Sequence, residues 1–331
     1  MDKLFPEKYL PKKTTKKKKK YLPQIVKDIR NYIPGEIDYS FQKNISYSQL
    51  SMYDSCPKKW ALRYKEGNKV FSSSIHTVFG TSIHHTIQHY LDVMYAESGA
   101  EADRIELMGY FEDKFRDEYQ EQYKKNNSQH FSTSDEMREF YNDGVAILDY
   151  FRSNKSKYFS KKGWYLMGCE IPILQIPNPK FPNAIFQGYI DVVMYHEPTN
   201  TVKIIDIKTS TRSWGQKQKK DKSKQDQLLL YKHFFSEQFK FPIDNIEIEF
   251  FIVKRKIDED AEWVQKRIQI FEPTSGKTSI NRAKQSLNNF VNSSYDKDGY
   301  SSTDHQATPN PFTCKYCPFI NTSLCKDGFT I

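Results

Sequence analysis

The chain has 331 residues, of which 37% are hydrophobic and 15% aromatic, enough for one large or two modest packed domains and too many for a disordered chain. No apolar stretch approaches the roughly 20 residues that span a bilayer, and no apolar segment of a secretory signal follows the lysine-rich N-terminus. We therefore expect a globular, cytoplasmic protein with no membrane partner.

The positive charge is concentrated at the N-terminus. Of the net charge of +9, the first 20 residues supply +7, because nine lysines oppose only Asp2 and Glu7 there. Residues 1–40 are predicted to be a basic, disordered tail, since their composition does not support a packed core. The tail either contacts nucleic-acid phosphates through counterion release or is a solubilising or targeting segment.

The first half of the chain has helical periodicity. Apolar residues recur at spacings of three and four over residues 48–64, 80–95, 103–125 and 134–151. Residues 97–161 are predicted to be a helical insertion that could cover a cleft. Its many aromatic residues recur at helical spacing, which favours core packing over stacking on unpaired bases.

The second half of the chain has the pattern of an α/β layer. Strand-like runs occupy residues 164–176, 184–195, 201–209, 245–255 and 263–271, and helical patterns occupy residues 224–239 and 274–291. Residues 293–311 are rich in Ser, Asp, Asn and Pro and are predicted to be a linker before a cysteine-bearing end.

Two acids and a lysine lie on neighbouring strand-like runs. If these runs form a hairpin centred between residues 198 and 199, Asp191 faces Asp206 with Cβ atoms about 5 Å apart. Lys208 shares the sheet face of Asp206 because strand side chains alternate. Like charges this close destabilise a sheet unless a cation lies between them, which indicates a magnesium or manganese site. The alternative is an exposed strand face of mixed charge.

Further segments join this hairpin in a recognisable order. They are residues 47–57 (YSQLSMYDSCP), 80–84 (GTSIH), 188–191 (GYID), 206–209 (DIKT) and 227–231 (QLLLY). In order and spacing, the chain from about residue 46 to residue 325 resembles the PD-(D/E)xK nuclease superfamily. It resembles in particular the RecB-like branch with a C-terminal iron–sulfur cysteine cluster, which includes RecB-type exonuclease domains and CRISPR-associated adaptation nucleases. The resemblance implies a restriction-endonuclease-like core over residues 41–331, with a central mixed sheet flanked by helices.

The resemblance also implies a set of metal ligands. These are Asp191, Asp206, His84 as a neutral imidazole, and the backbone carbonyl of Ile207. His85 and His89 compete with His84 for this role. Glu170, on the preceding strand, is a secondary candidate ligand, and a solvent-facing position is its alternative.

Three more residues receive roles in the same way. Lys208 would steady the attacking water and the developing negative charge. Gln227 and Tyr231 are four residues apart on one helix face, where the resemblance implies that they brace the site or contact DNA. Their alternative is an ordinary surface pair.

The cysteines provide a second pattern. Cys314 and Cys317 form a C-x-x-C motif, Cys325 follows eight residues later, and Cys56 lies far upstream. Four thiolates suit a cluster or a structural zinc ion, and a reducing compartment argues against disulfides. The resemblance implies a [4Fe-4S] cluster that staples Cys56 to residues 314–325, while the wide gap before Cys325 leaves Zn²⁺ as the alternative. Cys169 has no ligand spacing and is predicted to be a core residue.

A lysine run follows the Asp-x-Lys strand. It comprises Lys217, Lys219, Lys220, Lys222 and Lys224. Its position beside the predicted metal site favours contacts to the DNA backbone over an ordinary solvated loop.

Together these features predict a Mg²⁺- or Mn²⁺-dependent phosphodiesterase, specifically a DNA exonuclease acting on ends or single strands in recombination, repair or replication. The sequence contains no G-x-x-x-x-G-K-[ST] phosphate loop, so unwinding would require a helicase or recombination partner in trans. Two alternatives remain open: a non-catalytic DNA-binding or scaffold protein with the same fold, and an RNA-processing nuclease.

Overall fold

The computed structural model describes residues 21–326, except residues 69, 72, 259 and 264. The strands within this part are β1 (Lys43–Ile45), β2 (Trp164–Gln175), β3 (Ala184–His196), β4 (Thr201–Ser210), β5 (Ile246–Lys254), β6 (Ile268–Phe271), β7 (Tyr295–Asp296) and β8 (Gly299–Tyr300). The helices are α1 (Gln24–Arg30), α2 (Tyr47–Ser55), α3 (Pro57–Trp60), α4 (Ile75–Ala96), α5 (Gly99–Asp103), α6 (Leu107–Lys125), α7 (Ser134–Tyr158), α8 (Gln216–Lys220), α9 (Lys222–Phe239), α10 (Lys277–Ser294) and α11 (Pro311–Lys315). No helix in this part of the chain has the length and apolar character needed to cross a membrane.

The central sheet is mixed, as predicted. Strand β2 runs antiparallel to β3 along one edge of that strand. The other edge is shared, because β1 pairs in parallel with residues 184–186 of β3 and β4 pairs antiparallel with residues 192–196. Strand β5 then adds in parallel to β4, and β6 adds antiparallel to β5. On this edge of β3, residues 187–191 therefore lie in a gap between the end of β1 and the end of the β4 ladder.

Helices cover both faces of the sheet. One core contains side chains of α9 and α10 packed against sheet residues such as Ile204 and Phe250. The other contains side chains of α4, α6 and α7 packed against Ile205, Ile207 and Phe251. Consecutive strand residues point to opposite faces, which explains why β4 contributes buried isoleucines to both cores.

The structure divides the predicted helix at residues 48–64 at Cys56. This residue has an extended backbone, with φ −166° and ψ 109°, and Pro57 follows as the first residue of α3. Proline disfavours a helical conformation in the residue before it, and its own missing N–H is tolerated in a first helical turn. The break places Cys56 at a corner between two helices instead of within one.

The other predicted elements are present with shifted ends. The insertion at residues 97–161 contains α5, α6 and α7, and many of its aromatic residues are buried in the core, among them Phe111, Phe115, Tyr119, Phe140 and Phe151. The lysine run predicted between two elements contributes its own short helix, α8. The predicted strand at residues 263–271 is shorter in the structure, where Ile268–Phe271 form β6 and pair with β5.

The N-terminal tail differs from the prediction in its extent. Residues 1–20 lie outside the described residues. Residues 24–30, which the prediction included in the disordered tail, form α1 and bury Val26 and Ile29 against the sheet. Arg30 donates hydrogen bonds to the backbone carbonyl of Leu166, which fixes this helix on β2.

Candidate active site

Asp191 lies where β4 separates from β3. Residues 192–196 pair with residues 201–205, so the hairpin is centred as predicted, but the ladder stops one residue before Asp191 would meet Asp206. The Asp191 carboxylate instead accepts a hydrogen bond from the backbone N–H of Ile207, with 2.7 Å between Oδ2 and N. The expected direct pair of acids is therefore replaced by an acid that is anchored on the backbone of β4.

Asp206, Lys208 and Gln227 form a connected chain of polar groups. Asp206 is buried, and Lys208 Nζ lies 3.1 Å from its Oδ1 and 2.8 Å from its Oδ2. The same ammonium donates a hydrogen bond to Gln227 Oε1 at 3.0 Å. The predicted alternation on β4 thus brings acid and lysine together, and α9 supplies the group that holds the lysine from the other side.

Tyr231 lies one helical turn beyond Gln227 and continues this chain. Gln227 Nε2 donates a hydrogen bond to the Tyr231 hydroxyl at 3.3 Å. The ring lies against Gly188 of β3, where a Cβ atom would come within 2.6 Å of Tyr231 Cε1. Gly188 therefore permits a close approach of α9 to the sheet, and the Gln227–Tyr231 pair is an internal brace, not a surface pair.

His84 reaches the acids from the opposite helical layer. Its Nδ1 atom lies 3.5 Å from Asp191 Oδ2, and the imidazole also interacts with the Ile207 backbone. Burial, with a smaller contribution from the charge of Lys208, lowers the pKa of His84 to about 3. The ring is therefore neutral at physiological pH and has a nitrogen lone pair available for a metal.

The two competing histidines occupy different positions. His85 is partly buried, and the charges of Lys114 and Glu170 act on it. His89 is buried and stacks on Tyr110, with ring centroids 4.5 Å apart. Of the three histidines, His84 is the one that contacts Asp191.

Glu170 lies opposite Asp191 on β2, at a residue with an unusual backbone conformation. The strand pairs Cys169 with Val192 and Ile171 with Ile190, and Glu170 between them has a positive φ of 52°. This left-handed conformation is unfavourable for a residue with a side chain. The β2–β3 register places Glu170 opposite Asp191, and the charge of Glu170 raises the pKa of Asp191.

Gln88 is a residue that the sequence interpretation missed. It lies one turn after His84 on α4 and is buried. Its Nε2 atom donates hydrogen bonds to Glu170 Oε1 at 2.6 Å and to the backbone carbonyl of Asp191 at 3.0 Å. The spacing of four from His84 was the available signal, since it places both residues on one helix face.

The electrostatics of the site favour a bound cation. Burial raises the pKa of Asp191 well above its ordinary value, and the charges of Asp206 and Glu170 add to this while Lys208 opposes it. Burial also raises the pKa of Asp206 despite the opposing effect of Lys208. The Oδ2 atom of Asp206 is buried without a well-formed hydrogen bond, although Lys208 is near. One lysine does not neutralise three neighbouring carboxylates, so this oxygen-rich donor set fits a divalent metal.

The four predicted cysteine ligands share one cavity. Cys56, Cys314, Cys317 and Cys325 all line a cavity of about 20 Å³ that is otherwise lined mainly by apolar side chains. Cys169 lies elsewhere, partly buried against the core on the α4 side of the sheet. The cysteines therefore separate into four that line one cavity and one that lies apart from them.

Neither the acidic site nor the cysteine cavity has its side chains already arranged in a coordination geometry. Within residues 21–326, leaving out the four residues that the structure does not describe, no group of three or more His, Cys, Asp or Glu side chains is arranged to hold an ion. Ligand assignment in this protein follows from which side chains share a site, not from coordination distances.

The lysine run lies at the N-terminal end of α9, next to Gln227. Lys217, Lys220, Lys222 and Lys224 are exposed, and Lys219 is partly exposed. Lys224 lies over the Trp214 ring and Lys219 over the Phe271 ring. The run forms a positive surface that adjoins the candidate site by way of one helix.

Comparison with protein families identifies the superfamily of the chain. A model of the PD-(D/E)XK nuclease superfamily matches residues 44–325, which include every candidate ligand from Cys56 to Cys325. The chain belongs to the PD-(D/E)XK nuclease superfamily. The mixed sheet flanked by helices is the fold of this superfamily, and membership makes a nucleic-acid phosphodiesterase the expected class of enzyme.

Other comparisons add little detail to the superfamily assignment. A search of curated proteins finds no match to the chain. Among solved structures, the crystal structure of a candidate exonuclease from Eubacterium rectale is similar over 76% of this chain and 81% of that one, with 11% sequence identity and a TM-score of 0.43.

Proposed function

We propose that this member of the PD-(D/E)XK superfamily is an intracellular Mg²⁺- or Mn²⁺-dependent nuclease that hydrolyses DNA phosphodiester bonds. The observation that carries the proposal is the group formed by the buried Asp206 and the partly buried Asp191 and Lys208 at the point where β3 and β4 separate. Buried carboxylates with raised pKa values attract a divalent cation more strongly than exposed ones lacking such neighbours, because the cation relieves their mutual repulsion.

The ligands proposed for the ion are Asp191, Asp206, His84 and the Ile207 carbonyl, with Glu170 as a further acid. When bound, Mg²⁺ or Mn²⁺ polarises a phosphate oxygen and lowers the pKa of a bound water. The hydrogen bond from Ile207 N–H orients the Asp191 carboxylate, and the lowered pKa of His84 keeps its imidazole neutral.

Lys208 is proposed to stabilise the negative charge that develops on the phosphate and to orient the attacking water. Burial lowers the pKa of this ammonium, but Asp206 and Asp191 outweigh that effect and raise it, so the group stays protonated. Its hydrogen bond to Gln227 fixes the ammonium beside the acids instead of leaving it to rotate. Tyr231 supports Gln227 in turn.

We further propose that the chain belongs to the RecB-like branch and binds a [4Fe-4S] cluster through Cys56, Cys314, Cys317 and Cys325. The cavity that these four cysteines share supports this assignment. The cluster would link the corner between α2 and α3 to the C-terminal segment, and so connect two parts of the domain that are far apart in sequence.

Exonucleolytic action on DNA ends or single strands, in recombination, repair or replication, is proposed from the same RecB-like motif order. Duplex substrates would require a helicase partner in trans.

The test is a cleavage assay with the purified full chain. End-labelled linear single-stranded and duplex DNA, circular single-stranded DNA and a matched RNA are incubated with Mg²⁺, Mn²⁺ or EDTA. We expect metal-dependent loss of linear DNA, with circular DNA intact, and no loss with Asp206→Ala or Lys208→Ala. The exposed-residue variants Asp135→Ala and Lys180→Ala serve as matched controls and keep wild-type activity.

Three outcomes contradict parts of the proposal. Wild-type turnover by both Asp206→Ala and Lys208→Ala removes the site assignment. Binding of DNA without cleavage under any metal condition indicates the scaffold alternative, and cleavage restricted to RNA indicates an RNA-processing nuclease. Circular DNA cut as fast as linear DNA makes the enzyme an endonuclease.

A further inference from the structure

Two aromatic rings stand in solvent at the cysteine-bearing end of the chain. Phe312 is 82% exposed and Tyr316 is 77% exposed, more than any other aromatic side chain in the described part of the chain. Burial of an aromatic ring is favourable, so two exposed rings four residues apart are available to a partner that covers them.

Local hydrogen bonds fix the backbone that carries these rings. Asn310 caps α11, and its side chain accepts hydrogen bonds from the backbone N–H groups of Phe312 and Thr313. Cys314, between the two rings, is buried and lines the cysteine cavity. The side of this short segment that carries Cys314 is thus anchored inward, while Phe312 and Tyr316, one helical turn apart, are presented outward.

Cations accompany both rings. Lys217 Nζ lies 5.8 Å from the centroid of the Phe312 ring, and Lys315 Nζ lies 5.3 Å from that of Tyr316. Lys217 begins the lysine run, in which residues 217–224 carry five lysines against the single acid Asp221. The contact between Lys217 and Phe312 therefore joins the aromatic pair to a strongly positive surface.

This surface connects to the candidate active site through α9. The lysine run leads into the first turns of that helix, and Gln227 in the next turn accepts the hydrogen bond from Lys208. A chain of nucleotides that passes the acids could therefore continue over the lysines to the rings.

We propose that Phe312, Tyr316, Lys217 and Lys315, named here the aromatic–lysine surface, bind an unpaired DNA strand beside the nuclease site. The rings stack on bases and the ammonium groups contact phosphates, the two interactions by which proteins hold single strands without reading sequence. A duplex does not fit this surface equally well, because its bases are stacked inside and offer their faces to no protein ring. The inference rests on the proposed nuclease function and adds to it the form of the substrate and the path of its unpaired strand.

The test measures binding separately from cleavage. Fluorescence anisotropy follows a labelled oligothymidine with the full chain in EDTA, which prevents metal-dependent hydrolysis. We expect Phe312→Ala and Tyr316→Ala each to weaken binding about fivefold to about a hundredfold, the loss typical of one stacked base. Phe312→Trp and Tyr316→Phe keep a ring and should bind as the wild type does. Tyr39→Ala, which removes another exposed ring, is the matched control.

Salt dependence tests the cationic part. Lys217→Gln should reduce the slope of log affinity against log salt concentration by about 0.7, the value for one phosphate contact in a single strand. Blunt hairpin DNA should bind more weakly than oligothymidine and should not respond to the ring substitutions.

Wild-type affinity in both Phe312→Ala and Tyr316→Ala overturns the inference, as does failure of the wild-type chain to bind oligothymidine. Equal losses with blunt hairpin DNA overturn the unpaired-strand assignment, and stronger ring-dependent binding of oligouridine overturns the choice of DNA. If the chain binds oligothymidine through the rings but never cleaves it with metal, the proposed function fails and the binding surface stands. If it cleaves single strands with unchanged binding in the ring variants, the binding surface fails alone.

Discussion

The carboxylate of Asp191 accepts a hydrogen bond from the backbone N–H of Ile207, with 2.7 Å between Oδ2 and N. This bond forms where the β3–β4 ladder has ended, so a side chain satisfies a backbone donor that no strand partner reaches. Asp191 is therefore not paired directly with Asp206 across the ladder. It binds the backbone of the residue that follows Asp206. Four predictions concern this site and the cysteine cavity.

Asp191→Asn should stabilise the metal-free protein at high pH. The folded-state pKa of Asp191 is raised above its unfolded value, so its contribution is fully present below the ordinary carboxyl pKa and is lost as pH rises through the raised value. In EDTA, the wild-type Tm should fall as the pH rises above the ordinary carboxyl pKa, and Asp191→Asn should reduce that fall. Scanning calorimetry checks this.

The same pair of proteins should respond differently to metal. Mg²⁺ or Mn²⁺ should raise the Tm of the wild type at high pH and have little effect on Asp191→Asn, which lacks the charge. Asp135→Asn, a change at an exposed acid, should match the wild type under all conditions. An identical pH dependence in wild type and Asp191→Asn would contradict the origin assigned to the raised pKa.

Gln88→Met should weaken metal binding. Methionine keeps the length of the side chain but cannot donate the hydrogen bonds to Glu170 and to the Asp191 carbonyl. Loss of a group that orients ligands typically costs about 10- to 100-fold in metal affinity. Titration of the full chain with Mn²⁺, followed by calorimetry or by the electron paramagnetic resonance signal of free Mn²⁺, measures it, with Gln285→Met on the exposed side of α10 as the control.

A double-mutant cycle distinguishes positioning from a general structural effect. If Gln88 acts through Glu170, Gln88→Met should add little to the loss already caused by Glu170→Gln. A full additional loss in the Glu170→Gln background would sink the positioning role, and unchanged Mn²⁺ affinity in Gln88→Met alone would do the same.

Gly188→Ala should disturb the brace formed by Tyr231. A Cβ atom there would lie 2.6 Å from Tyr231 Cε1, too close for two carbon atoms, so the ring or α9 must move. Overpacking of this kind costs about 1–3 kcal/mol of unfolding free energy, and movement of Gln227 should also lower cleavage by releasing Lys208. Denaturant unfolding and the cleavage assay measure both effects.

Gly35→Ala is the matched control for this substitution, since a Cβ atom at Gly35 meets nothing within 4 Å. Unfolding free energy and activity equal to the wild type in Gly188→Ala would mean that the close approach of Tyr231 to β3 is not needed.

Cys56→Ala should remove the proposed cluster, whereas Cys169→Ala should keep it. Cys56 lines the shared cavity with the three C-terminal cysteines, and Cys169 lies in a different part of the fold. Anaerobically purified wild type and Cys169→Ala should be brown and contain iron, and Cys56→Ala should be colourless and less stable. Stoichiometric zinc in a colourless wild-type protein would replace the iron–sulfur assignment without affecting the nuclease site.

Backbone periodicity made part of the site predictable. Alternation along β4 places Asp206 and Lys208 on one face, and the spacing of four places Gln227 and Tyr231 together on α9. The hairpin centre followed from the turn between the two runs, and the structure has that register. These relationships are local, because dihedral angles of a few consecutive residues determine them.

The sequence by itself thus determined the mixed α/β layer, the hairpin register and the residues that motif order assigns to a PD-(D/E)XK site. Only the tertiary structure decided that the ladder ends before Asp191, that Gln88 holds a strained Glu170, and that Cys56 shares a cavity with residues 314–325. The physical reason is sequence separation: Gln88 and Glu170 are 82 residues apart, and their contact depends on how α4 packs across the sheet. Packing of this kind is a property of the whole core, which no local pattern contains.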